Sequence, residues 1–333
     1  METSLNPVQK KSLSLISADA RLIHSILKIP NKPNSNYICM FLPYLGIFTH
    51  GAEQWDKKVK LNTPTFSGAE KSYYIAMRSA MKIFDTSFDE LCALLGTALH
   101  KSEVHFFKIR TFLSKILNFH YNVGCDLHNN SYLGNTILCS LFTPFFDFDK
   151  DKYDYGEYVK NTSIIAGKLA ATYRGLRFPN YCINSSMNFK YEDYNFFEKC
   201  PLKNNTIEDF ALFSILCNIN FIRIFIGQFF IEEFPSKLRL AYLQYFYLTK
   251  LIPEINLRLS TDFSLDLSLK NDKFRNCMAH YGLGVCMVES DIVEEDLMFG
   301  LTIRLMDKSY FEVKDAIFHE LDTLAHQLES YLL

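Results

Sequence analysis

Residues 210–231, FALFSILCNINFIRIFIGQFFI, constrain this chain more than any other segment. A run so apolar must leave water, and it is long enough to cross a bilayer or to form the central helix of a protein core. Asn218, Asn220, Arg223 and Gln228 interrupt it, and each is costly in lipid. The sequence therefore predicts a buried helix around which the rest of the chain packs, with no membrane as a partner.

The surrounding sequence favours helices. Gly and Pro number only 13 and 10 in 333 residues, too few for many short strands joined by tight turns. Ser67 with Glu70 and Ser87 with Glu90 have capping-box spacing, and Thr206 with Asp209 is a shorter-armed variant. Apolar periodicity predicts helices over 13–28, 69–84, 88–119, 157–174, 207–234, 236–258 and 314–332. Pro30 and Pro33 mark a loop, and 178–205 reads as irregular connecting structure. One β-hairpin is expected, with strands 301–306 and 310–313 around Asp307-Lys308-Ser309. The expected fold is mainly all-α, with a helical region over 1–205 and a C-terminal helical bundle over 206–333.

Charge follows the same division. Residues 1–205 carry 24 Lys and Arg against 18 Asp and Glu, whereas 206–333 carry 11 against 19. The basic excess lies within 1–125, where Lys57, Lys58, Lys60, Lys71, Arg78, Lys82, Lys108, Arg110 and Lys115 are interleaved with aromatics. Such a pattern suits phosphate contacts and base stacking. The nine cysteines show no regular spacing and no CxxC pair, and the N-terminus lacks the apolar core of a signal peptide. Both features predict unpaired thiols and a cytoplasmic location.

The stretch that carries chemistry is Lys273-Phe274-Arg275-Asn276-Cys277-Met278-Ala279-His280-Tyr281-Gly282. On a single helix Asn276 and His280 would lie one turn apart on one face, with Arg275 curling round to join them. Asn271 or Asp272 would cap that helix and put Arg275 in its first turn, where an anionic phosphate is favoured.

This stretch resembles the signature of the HEPN family, small helical bundles found mainly in RNA-cleaving proteins. In that signature an Arg is followed by a polar residue and then by a His a few positions on. Arg275, Asn276 and His280 match it in order and spacing, and the two long helices before them and one after fit the family's bundle. The likeness covers about the last 125 residues. It implies a metal-independent endoribonuclease, without cofactor, in which the ribose 2′-OH attacks the adjacent phosphorus to leave a cyclic phosphate and a free 5′-OH. Arg275 would hold the phosphoryl oxygens, His280 would move protons, and Asn276 would orient His280 or the phosphate. Lys273 and Tyr281 become RNA-binding candidates.

A single His cannot readily serve both ends of that reaction, and the family typically pairs two domains across one cleft. A homodimer is therefore implied by the resemblance. Lys115 and His120, in KILNFHYNVG, partly echo Arg275 and His280 at an offset of 160 residues. They are a second RNA-binding candidate pair and a possible relic of duplication, which would make the pairing internal. Free-standing members often act as toxins or anti-phage defence effectors, which implies a cognate antitoxin or defence partner. The rival function is a non-catalytic HEPN interaction module, an antitoxin or adaptor.

No metal site is expected. Asp147, Asp149, Asp151 and Asp154 resemble a calcium loop, but Lys152 and Tyr158 stand where Gly and Glu are needed. His120, Cys125 and His128 lack a fourth zinc ligand of suitable spacing. HExxH, GxSxG, P-loop and GxGxxG patterns are absent.

Overall fold

The computed structural model describes residues 5–29, 36–59, 64–108, 120–149, 155–174 and 179–333. It is mostly helical with one small sheet, as expected for a mainly all-α chain. The first helices are α1 (Pro7–Leu27), α2 (Tyr37–Val59), α3 (Gly68–Ala80) and α4 (Phe88–Lys108). Asn6 and Ser67 cap α1 and α3 through reciprocal side-chain bonds, which confirms the Ser67–Glu70 signal. Residues 109–119, the expected end of α4, lie outside the described residues, as do Pro30 and Pro33.

The sheet was not expected. Strands β1 (Val123–His128), β2 (Ser131–Asn135) and β3 (Lys190–Tyr194) pair antiparallel in the order β2-β1-β3. Asn129 and Asn130 turn the β1–β2 hairpin with φ of 48° and 67°, a left-handed pair that Asn tolerates better than most residues. Helices α5 (Thr136–Phe142) and α6 (Tyr155–Arg174) follow the hairpin.

The central apolar run forms α7 (Ile207–Asn220) and continues as a π-helical segment, Phe221–Phe229. By length and composition Ile207–Phe229 could cross a membrane, but 89% of its most apolar window is buried inside the chain. Its polar interruptions are accounted for individually. Asn218 donates to Gln244 at 2.6 Å, Asn220 to the Tyr132 carbonyl at 3.0 Å, Arg223 pairs with Asp322, and Gln228 is exposed. Pro235 at the first helical position then opens α8 (Pro235–Leu259).

The last elements are α9 (Asp272–Ala279), α10 (Leu283–Cys286), α11 (Leu301–Met306) and α12 (Tyr310–Leu332). The hairpin expected over 301–313 is therefore wrong. Both arms are helical, because Asp307 makes a left-handed turn (φ 56°) and Ser309 with Glu312 forms a capping box that starts α12.

One hydrophobic core runs from Val8 to Leu332, and no gap in it marks position 205. Polar contacts cross that position as well. Asp19 of α1 accepts hydrogen bonds from Ser236 and Arg239 of α8 and from Tyr281, all in the interior. The N-terminal helices are thereby fixed against the segment that holds the Arg275–His280 motif.

Candidate functional site

Asn271 caps α9 as anticipated, its side chain accepting from the Phe274 amide at 2.9 Å. Phe274 and Met278 anchor the helix in the core, with Phe274 edge-on to Tyr242 at 4.6 Å. Arg275 is half-buried with its guanidinium 5.0 Å above the Phe246 ring, and Asn276 and Lys273 are exposed. The single-helix geometry does not extend to His280. α9 ends at Ala279, and His280 is extended (φ −141°, ψ 159°), so Asn276 and His280 do not share a helix face.

The reason lies in the next residue. Tyr281 is buried, its hydroxyl donates to the Asp19 carboxylate, and its ring lies 4.3 Å beneath the Arg239 guanidinium. Arg239 also donates to the Met278 carbonyl and pairs with Asp19. This network pulls the chain out of helix after Ala279 and leaves His280 at the surface. Tyr281 is therefore enclosed and cannot serve as an open stacking platform for RNA. Cys277 and Cys286 are joined, with Cα atoms 7.3 Å apart, because the chain doubles back between α9 and α10; these two depart from the expectation of unpaired thiols. The other seven cysteines form no disulfide among the described residues.

The surroundings of His280 come from the N-terminal helices. Gly51 of α2 faces Tyr281 so closely that a Cβ there would lie 3.0 Å from the ring, and Phe48 meets the same ring edge-on at 6.4 Å. His50 lies between these two contacts in sequence. One turn earlier, Gly46 lets α3 approach until a Cβ would fall 2.2 Å from the Arg78 amide nitrogen. α2 is thus packed against the segment containing His280 at Gly51 and against α3 at Gly46. The His50 and Tyr74 rings meet edge-on at 6.4 Å, and the buried His50 Nδ1 has no hydrogen-bond partner among the described residues.

Electrostatically the cluster is positive. Arg21, Arg223, Arg239, Arg258 and Arg304 each lie beside a carboxylate. Among the described residues, Arg78 and Arg275 do not, and the Arg275 Nε is buried without a partner. Glu53, the nearby acid on α2, is engaged by Tyr74, Lys57 and Lys71. Desolvation lowers the His280 pKa below its ordinary value, followed by the charges of Arg78, His50, Arg239 and Arg275. The His50 pKa is lowered too, by desolvation first and then by Arg78. His280 also lines a cavity of about 410 Å³ with Gln9, Trp55, Lys58, Gly282 and Met287. Arg275, Arg78 and His50 are not among its walls.

The remaining candidates lie elsewhere. Lys115 falls outside the described residues. His120 is buried, with its Nε2 2.5 Å from a Glu103 carboxylate oxygen and the Asn195 amide against its ring. That is a satisfied interior histidine, without a bond to the 275–280 segment. Asp147 and Asp149 both pair with Lys101. Among the described residues no group of His, Cys, Asp or Glu is arranged to hold a metal ion. His50 was not anticipated from the sequence, and Arg78 was visible there only as one basic residue among several. Compared with known proteins, the chain matches no family model, no curated protein and no solved structure.

Proposed function

We propose that this chain is a metal-independent endoribonuclease of HEPN type, acting as a toxin or anti-phage defence effector through its 275–280 segment. One observation carries the reading. Arg78 and Arg275, which have no carboxylate neighbour among the described side chains, both weigh on the titration of the exposed His280. Uncompensated guanidinium groups are held at a cost unless an anion arrives, and a phosphodiester is an anion whose oxygens match their planar donors. An imidazole with a lowered pKa is largely neutral near pH 7 and can accept the 2′-OH proton.

The test is cleavage of RNA in EDTA by the purified full chain. Wild-type protein is expected to leave 2′,3′-cyclic phosphate ends, and Arg275→Ala and His280→Ala are each expected to abolish cutting. Full activity in either variant would overturn the proposal.

A second reading is a non-catalytic HEPN module that binds an antitoxin or defence partner. The early end of α9 favours it, because Asn276 is separated from His280 and the motif's internal geometry is lost. Induced expression separates the two. A nuclease arrests growth unless His280 is replaced, whereas an adaptor is harmless with or without His280.

A further inference from the structure

The cavity of about 410 Å³ beside His280 is formed by α1, α2 and the 280–284 segment. Its size falls within the range of about 300–1,000 Å³ typical of small-ligand sites. Two of its wall residues are buried and carry hydrogen-bonding groups that the protein leaves unused. Ser12 of α1 is 2% exposed, and Trp55 of α2 is 6% exposed. Neither side chain hydrogen-bonds to a described residue, yet neither polar atom is among those sealed from solvent. The Ser12 hydroxyl and the Trp55 indole N–H therefore open onto the cavity. Buried polar groups are normally paired inside a protein, so two that open onto one cavity point to a polar guest.

The other walls narrow the choice of guest. Among the described residues no Asp or Glu lines the cavity, whereas Lys58 and His280 do, both with exposed side chains. An ammonium group beside an indole N–H and a free hydroxyl suits a flat heterocycle that carries acceptors on its edge and a phosphate on its sugar.

We propose that this cavity receives an unpaired nucleobase of single-stranded RNA, with Ser12 and Trp55 bonding to its edge and Lys58 meeting the adjoining phosphate. The proposal rests on the ribonuclease reading and gives it a substrate class. Base pairing hides the edge of a base and keeps it stacked, so a duplex has nothing to insert. A base seated here brings its own ribose to His280, which lines the same cavity, and that is the sugar whose 2′-OH must lose a proton.

Trp55 is the chain's one tryptophan, so its fluorescence reports on the cavity directly. The full chain is titrated with a 2′-O-methyl RNA strand of about 12 nucleotides, with that strand annealed to its complement, and with 5′-mononucleotides. A methylated ribose has no 2′-OH to attack, so binding is read apart from cleavage. The single strand is expected to change the Trp55 emission and the duplex is not. Mononucleotides, with fewer phosphates to contact, are expected to bind about 10-fold or more weakly than the strand. Equal affinity for a mononucleotide overturns the proposal in favour of a free-nucleotide site. No response to the strand, or an equal response to the duplex, overturns it outright.

Variants tie the response to the cavity. A Cβ at Gly284 would meet nothing closer than Val8 at 3.9 Å, so Gly284→Leu has room to enter and fill the space. It is expected to weaken strand binding about 10-fold or more. Ser12→Ala removes no bond within the protein, and is expected to weaken binding while leaving urea unfolding unchanged; it decides the matter if Gly284→Leu fails to fold. Lys58→Ala is expected to reduce the salt slope of binding by about 1. Wild-type affinity in Gly284→Leu and Ser12→Ala overturns the assignment. Cleavage of unmodified RNA without any response of Trp55 sinks the base pocket alone. Strand binding without cleavage sinks the nuclease reading and leaves the pocket standing.

Discussion

The ring of Tyr281 occupies the space that a side chain at Gly51 would need, with ring carbons 3.0 Å from the Cβ position. This contact seats the His280 segment on α2. Gly51→Val is expected to destabilise the chain by about 1–3 kcal/mol through overpacking, and Gly51→Ala by less. Urea denaturation of the two variants checks the order. Equal stability of Gly51→Val and wild type would mean that the contact is slack.

Asp19 is the buried anion that answers both Arg239 and Tyr281. Replacing it with Ala strands the Arg239 charge in the interior, at an expected cost of about 3–5 kcal/mol. Tyr281→Phe removes only a hydrogen bond to a carboxylate, for which about 1.5–3 kcal/mol is expected. Thermal or denaturant unfolding of both variants tests the ranking, and a milder effect for Asp19→Ala than for Tyr281→Phe would contradict it.

Arg78 lowers the pKa of both His50 and His280, so removing its charge should raise both. The sign follows from the proton-bound form. Without Arg78 the imidazolium is less repelled and survives to higher pH, so the limb of the activity profile that reports His280 should move upward in Arg78→Gln. A profile in Arg78→Gln that shifts downward or stays fixed would remove Arg78 from the site.

For Arg275, the shape of the cation matters as well as its charge. Arg275→Lys keeps the charge but loses the planar fork, and its stacking over Phe246 is weakened. Cleavage by Arg275→Lys is expected to fall nearly as far as in Arg275→Ala. If the site reads charge alone, Arg275→Lys will behave like wild type. A shallower salt dependence of RNA binding in both variants would report the lost phosphate contact.

What could be read in advance followed from local rules. Capping residues and periodic apolar runs located α3, α4, α7, α8 and α12. The Asn271 cap was visible because Asn is a side-chain acceptor just before an apolar turn. α2 escaped because it is buried on nearly all sides over 39–49, which erases amphipathic periodicity, and because Pro43, Gly46 and Gly51 read as breakers. The β1–β2 hairpin had a signal, the Asn129-Asn130 pair, but strands this short are faint against a helical background. Helix α11 was mistaken for a strand because LTIRLM satisfies either pattern over six residues. The 275–280 motif was legible as a string. Its departure from helix after Ala279 was not, because the cause is Asp19, far away in sequence. For the same reason nothing local pointed to His50.

The pull of Asp19 on Tyr281 has a further consequence for how such a chain can be divided. A fragment beginning after residue 205 would keep Arg275, Asn276 and His280 in their order yet lose the anion that draws the backbone out of α9. His280 in such a piece would have no reason to stand where it does. Whatever this segment accomplishes is therefore a property of the assembled whole, and grafting the short string into another helical scaffold would transfer its letters without its geometry.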